Sequence, residues 1–196
     1  MHNNTNTPWS LNESRFVPVK VETYRDIMTA LLVVDKKEIW NDAKKEEAEK
    51  LWLSEKETFH FTIIGMDTGA EILAATEWSA KKEEILDKVF ELCNSFERKV
   101  QLKDDFYYIE KKYNDPDPNH PDTMLPEETR RSIVQTAEIE GLDDFYKQLN
   151  ILLGKKFETP DPHVTLYTTS TREDKKLRWI GIYSKKQFND LNPKKI

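Results

Sequence analysis

The sequence predicts an α+β fold: a single two-lobed domain built of two mainly antiparallel sheets with helices on their outer faces. Three observations lead there. Strand-like alternation and helix-like periodicity follow one another along the whole chain. A tetrapeptide of the form His-apolar-Thr-apolar occurs once in each half, as His60-Phe61-Thr62-Ile63 and His163-Val164-Thr165-Leu166. No Gly/Ser-rich linker separates the halves, so residues 14–196 form one domain after a loose polar tail over residues 1–13.

In chain order, Arg15–Val21 reads as a short strand, confined to an edge by Pro18. Met28–Val34 is a nearly unbroken apolar run and predicts a buried strand. Ile39–Leu53 places apolar residues among Lys and Glu and predicts an amphipathic helix. Phe59–Ile64 is the first motif strand, stopped by Gly65, and Asp67-Thr68-Gly69 predicts a turn. Ser79 suits a helix N-cap before Ala80–Phe96, whose apolar residues recur at helical spacing and include Cys93 as core filler. Lys99–Glu110 is a strand or hairpin arm, and the four prolines of Tyr113–Glu128 predict a loop. Arg131–Ile139, rich in Ile, Val and Thr, predicts a strand. Gly141 marks a turn, Asp143 is placed to cap a helix over Asp144–Leu153, and Gly154 ends it. His163–Thr168 is the second motif strand, Leu177–Tyr183 the last strand, and Gln187–Leu191 a short helix or turn.

Composition narrows the function. Of 196 residues, 34% are charged and 37% hydrophobic, with aromatics well represented, which describes a soluble globular protein rather than a disordered one. No apolar run has the length of a membrane span, and Met1–Ser10 lacks the basic-then-apolar order of a signal peptide. One cysteine excludes an internal disulfide and fits a reducing, cytoplasmic setting. A net charge of −6 argues against a protein that grips long RNA or DNA. Residues 155–196 nevertheless carry ten Lys/Arg against five Asp/Glu, a local excess around the second motif that would draw in a small anion. The expected partner is therefore a small nucleotide or short oligonucleotide, met by a monomer, with no membrane and no long nucleic acid.

The motifs carry the chemistry. On a strand, alternate residues share a face, so each tetrapeptide turns its His and Thr one way and its two apolar residues into a core. The chain has only four His, and two of them falling in this pattern by chance is an event of roughly one in a thousand. Two facing units of this kind would supply what phosphodiester cleavage needs. One imidazole serves as base, one as acid, and the hydroxyls donate to the non-bridging oxygens. The candidate catalytic residues are His60 and His163, and the candidate phosphate-binding residues are Thr62 and Thr165.

The duplicated motif resembles that of the two-histidine (2H) phosphoesterase superfamily, which includes 2′-5′ RNA ligase-like proteins and cyclic nucleotide phosphodiesterases. The match is confined to the two tetrapeptides and the order of elements around them. Residue by residue, the superfamily's two histidines correspond to His60 and His163, and its two hydroxyl residues to Thr62 and Thr165. The resemblance implies a pseudo-two-fold axis between the lobes and phosphodiester hydrolysis without a cofactor or metal. The separation of the two motifs is longer than usual for that superfamily, and the stretch 113–128 accounts for the excess. The expected substrates are a 2′,3′-cyclic phosphate, a 2′-5′ linkage or a cyclic oligonucleotide. The alternatives are a non-catalytic nucleotide- or RNA-binding module of the same fold and a ligase-like enzyme that processes RNA ends. A metal hydrolase built on His60, His120 and His163 is a further alternative.

Aromatic and cationic residues near the motifs are candidates for substrate contact. Tyr107, Tyr108, Tyr113, Tyr167 and Trp179 have faces on which a base could stack, and Arg130 and Arg131 could clamp a phosphate. The segment from Asp115 to Asp122 has carboxylates around His120 but lacks the spacing of a calcium loop, so it is read as turns or a lid rather than a metal site.

Overall fold

A computed structural model describes residues 22–24, 27–34, 42–95, 99–114, 116–117, 120–172 and 180–196. Within it, the first lobe is a three-stranded sheet of order β1-β2-β4, from β1 (Glu22–Tyr24), β2 (Ile27–Val34) and β4 (Phe59–Ile64). The second is a five-stranded sheet of order β10-β5-β8-β9-β3. Its long members are β5 (Val100–Tyr113), β8 (Glu128–Ile139) and β9 (His163–Ser170), flanked by β3 (Ser54–Glu55) and β10 (Lys194–Lys195). Every strand pairing is antiparallel. The helices are α1 (Lys45–Lys50), α2 (Met66–Thr76), α3 (Lys82–Ser95), α4 (Leu142–Leu153) and α5 (Lys185–Asp190). The fold class is the α+β, two-sheet architecture that the sequence predicts. Among the described residues no helix is long and apolar enough to cross a membrane.

One hydrophobic core lies beneath both sheets. From the first sheet it takes Leu32, Phe59, Phe61 and Ile63; from the second it takes Phe106, Ile133, Val164 and Leu166; α3 and α4 add Val89, Cys93, Phe145 and Leu149. Each such side chain, withdrawn fully from water, contributes roughly 1.5–3 kcal/mol. The core also aligns the lobes, because β4 and β9 lie against each other although they belong to different sheets. A smaller cluster occupies the opposite side of the five-stranded sheet, where Ile180 and Ile182 pack on Ile109 and Val134.

Five expectations need correction. Of the helix expected over Ile39–Leu53, the described part is only α1, and residues 39–41 lie outside the description. Left-handed backbone at Asp42, Lys44 and Trp52, with φ of 57°, 64° and 57°, prevents helix on either side. Asp67, Thr68 and Gly69 are not a turn but the start of α2, because burial of Ile72 against the sheet outweighs the turn preference of three residues. Residues 113–128 are not all loop: β6 (Pro116–Asp117) and β7 (His120–Met124) pair as a ribbon that prolongs the β5–β8 hairpin. A two-stranded ribbon has free edges, which is where proline is tolerated. Asp143 lies inside the first turn of α4, and the N-cap is Gly141, whose φ of 84° suits glycine. Of the strand expected over Leu177–Tyr183, residues 177–179 lie outside the description and 180–183 form no strand. The alternation of Ile180 and Ile182 reports burial across a sheet face rather than pairing along an edge. The tail 1–13 and the strand expected over Arg15–Val21 also lie outside the described residues.

Candidate active site

The first motif strand alternates as its sequence requires. Phe61 and Ile63 are fully buried in the core, and His60 and Thr62 are half-buried on the opposite face. The β2 register sets Val33 opposite His60 and Leu31 opposite Thr62, so these two half-buried apolar residues floor that face. The second motif repeats the pattern. Val164 and Leu166 enter the same core, while His163 and Thr165 stand opposite Thr136 and Val134 of β8. Ile133, Gln135 and Ala137 face the other way, toward the core, so His163 and Thr165 lie on the outer, Val134 side. Both motifs therefore turn their polar residues away from the shared core, on adjoining strands.

The strands that carry the two imidazoles, β4 and β9, lie against each other. His60 is pushed down from its ordinary value to about 4, first by burial, then by the ammonium of Lys56, then by His163. Burial also lowers His163, against the opposing influence of the Asp161 carbonyl and carboxylate. The His163 Nδ1 lies 3.0 Å from the Asp161 carbonyl oxygen. A carbonyl only accepts, so Nδ1–H donates and Nε2 remains for proton transfer. Among the described residues, the hydroxyls of Thr62 and Thr165 make no hydrogen bond to protein.

Lys56 was not legible as a site residue. The residue is 7% exposed, and burial lowers its pKa against the opposing charge of Glu57. In sequence it stands within Ser54-Glu55-Lys56-Glu57-Thr58, which reads as a charged loop.

The substrate-contact candidates divide. Tyr107 lies on the motif side of β5, opposite Val134, and its ring meets Phe188 edge-on at 5.3 Å. Tyr113 is on the same side but at the far end of the strand, with the Arg130 guanidinium 3.8 Å above its ring. Arg130 is itself bound to the buried carboxylate of Glu128 at 2.7 Å, which also accepts from Ser170. Three candidates are corrected. Tyr167 is 3% exposed, packed into the core opposite Ile133, with its hydroxyl donating to the Ala43 carbonyl at 3.3 Å. A bulge between Ile133 and Val134 in the β8–β9 register turns it away from the motif side. Arg131 shares the side of Ile133, away from the motifs, and pairs with Glu110 at 2.7 Å. Tyr108, also on that side, donates to the same carboxylate. Trp179 lies outside the described residues. His120 is in β7, in the ribbon. Among the described residues no three His, Cys, Asp or Glu side chains are grouped to hold a metal ion.

A cleft of about 1070 Å³ opens beside His163 and runs past Tyr107, Phe188 and Thr136 to the start of α4. His60 does not line it, so this cleft adjoins His163 and does not contain both imidazoles. Its walls carry the carboxylates of Asp105, Glu138, Glu140, Asp143, Asp144 and Asp161 against the ammonium groups of Lys103, Lys147 and Lys185. That wall repels a polyanion. The chain matches no known family model, no curated protein and no solved structure.

Proposed function

We propose that this protein is a phosphodiesterase that hydrolyses a small nucleotide by His/His acid–base catalysis, with substrates of the 2′,3′-cyclic phosphate, 2′-5′-linked or cyclic oligonucleotide class. The observation that carries this reading is that β4 and β9 lie against each other and both turn their His and Thr away from the shared core, His60 and Thr62 on one strand and His163 and Thr165 on the other. A phosphodiester placed there meets two proton-transfer groups and two hydroxyl donors without requiring a metal ion.

The electrostatics favour one division of labour. Lys56 disfavours a charged His60, which suits the base. Asp161 favours a charged His163, which suits the acid. In the proposed step His60 takes a proton from water as the water oxygen bonds to phosphorus. The bond from phosphorus to the leaving oxygen breaks, and His163 Nε2–H protonates that oxygen. The product is a phosphomonoester on one side and a free hydroxyl on the other. The phosphate's negative charge offsets the burial that holds both imidazoles toward the neutral form.

A second reading, a binding module of this fold that does not cleave, is favoured by the lowered affinity of both imidazoles for protons. A panel of cyclic mono- and oligonucleotides, incubated in EDTA with the wild type and the His60→Ala/His163→Ala double variant, decides between the two. Turnover by the wild type alone supports the enzyme. Tight binding without product supports the module, and loss of wild-type turnover in EDTA refutes the metal-free step.

A further inference from the structure

The cleft beside His163 lies on the motif side of the five-stranded sheet. Tyr107 of β5, opposite Val134, lines it, and so do Thr136 and Glu138, which flank core-facing Ala137 in β8. Phe188 of α5, the start of α4 and residues 159–162 complete it. Its volume of about 1070 Å³ suits a small molecule. Two features describe the occupant. Tyr107 and Phe188 meet at 5.3 Å with their planes at 88°, which makes an apolar corner for a flat ring. The second feature is how pairing sorts the charges. Lys103 holds Glu138 at 2.7 Å, Lys147 holds Asp144 at 2.7 Å, Lys99 holds Glu140 at 3.6 Å, and Lys195 holds Asp105. Among the described residues, the carboxylates of Asp143 and Asp161 form no ion pair, nor does the ammonium of Lys185. Asp143 and Asp144 also stand in the first turn of α4, where they meet the positive end of its dipole. The cleft thus offers acceptors in excess, which disfavours a phosphate and favours a ligand with N–H donors.

A phosphodiester carries two ester substituents. With its phosphorus at the motif residues, the substituent nearer His163 has this cleft to enter. We propose that the cleft is the subsite for the nucleoside on that side, its base packed in the corner between Tyr107 and Phe188 and the amino group of that base donating to the unpaired carboxylates of Asp143 and Asp161. The attachment to phosphate rests on the phosphodiesterase reading; the nucleoside site itself rests on the cleft, its aromatic corner and its spare acceptors. In the step proposed above, this is the nucleoside that leaves. Adenine, guanine and cytosine carry an amino group and uracil does not, so the cleft selects against uridine.

The probes are adenosine, guanosine, cytidine and uridine, which carry no phosphate, followed through the NMR resonances of the full chain in EDTA. The three amino-bearing nucleosides are expected to shift His163 and the backbone amides of Gly141 and Leu142, which line the cleft. They are expected to bind roughly threefold or more tighter than uridine. Tyr107→Leu is expected to weaken all four roughly fivefold or more, with Tyr107→Phe retaining most of the affinity. The double variant Asp143→Ala/Asp161→Ala, which leaves the aromatic corner in place, is expected to bring the three down to the uridine value and to leave uridine unchanged. On a cyclic nucleotide, Tyr107→Leu is expected to raise KM with a smaller change in kcat, because the base contact is the same before and during reaction. Shifts absent from the cleft, uridine bound as tightly as the other three, or unchanged preference in the folded double variant would overturn the subsite. Nucleosides bound in the cleft of a protein that cleaves no nucleotide would leave the subsite standing and remove the phosphodiesterase reading. Cleavage with no nucleoside bound in the cleft and KM unchanged in Tyr107→Leu would do the reverse.

Discussion

At the scale of the residue, the site is a competition between burial and charge. Burial and neighbouring positive charge hold His60 near a pKa of about 4, and burial lowers His163 as well. Because kcat/KM reports the free protein's base and acid, its bell should peak below pH 6.5, on the acid side of an ordinary imidazole. Its two limbs should be lost separately in His60→Ala and His163→Ala. A profile centred above pH 7 on a cyclic nucleotide would contradict the assignment. Each single variant should lose on the order of 10² to 10⁴ in kcat/KM, and the double little more, because the two act as a unit. Thr62→Val and Thr165→Val, which keep the shape and remove the donor, should lower kcat/KM with smaller effect on stability. Circular dichroism beside the kinetics separates the two.

At the scale of the element, β4 has two jobs on its two faces, and both depend on register. A slip by one residue would bury His60 and expose Phe61. Phe61→Ala removes a fully buried ring from the core that both sheets share. It should cost about 3–5 kcal/mol in urea unfolding. The end of β4 is equally constrained. A Cβ on Gly65 would collide with the Tyr183 ring, which also lies against Gly181. Gly65→Ala should therefore destabilise by about 1–3 kcal/mol through overpacking, and a smaller residue at 183 should relieve part of that loss. Additive losses in the double variant would show that the two positions do not press on each other.

At the scale of the whole molecule, the same buried imidazoles make stability depend on pH. An unfolded His60 binds its proton near 6.5 and the folded one near 4. Between those values the unfolded state holds more protons, so stability is complete above pH 6.5 and declines as pH falls toward about 4. The loss from His60 alone is on the order of 3 kcal/mol. Urea midpoints measured from pH 7 to pH 4 should fall in the wild type and fall less in His60→Ala. An unaltered pH slope in that variant would place the acid sensitivity elsewhere.

What the sequence by itself determined was local. Alternation in the two motifs, His60–Ile63 and His163–Leu166, decided which residues faced the core and which faced outward, because a strand's two-residue period is written into the chain itself. Helical spacing located α3 for the same reason, and Cys93 went into the core with it. Tertiary structure decided everything that depends on partners distant along the chain. The β8–β9 bulge turned Tyr167 inward; the β5–β8 register sent Arg131 to the far side; the chain after β3 set the backbone of Lys56 against Leu166 of β9. Register is a property of two strands at once, set by the core they jointly fill. The pattern of either strand alone therefore reveals the face a side chain takes but not the groups it meets there.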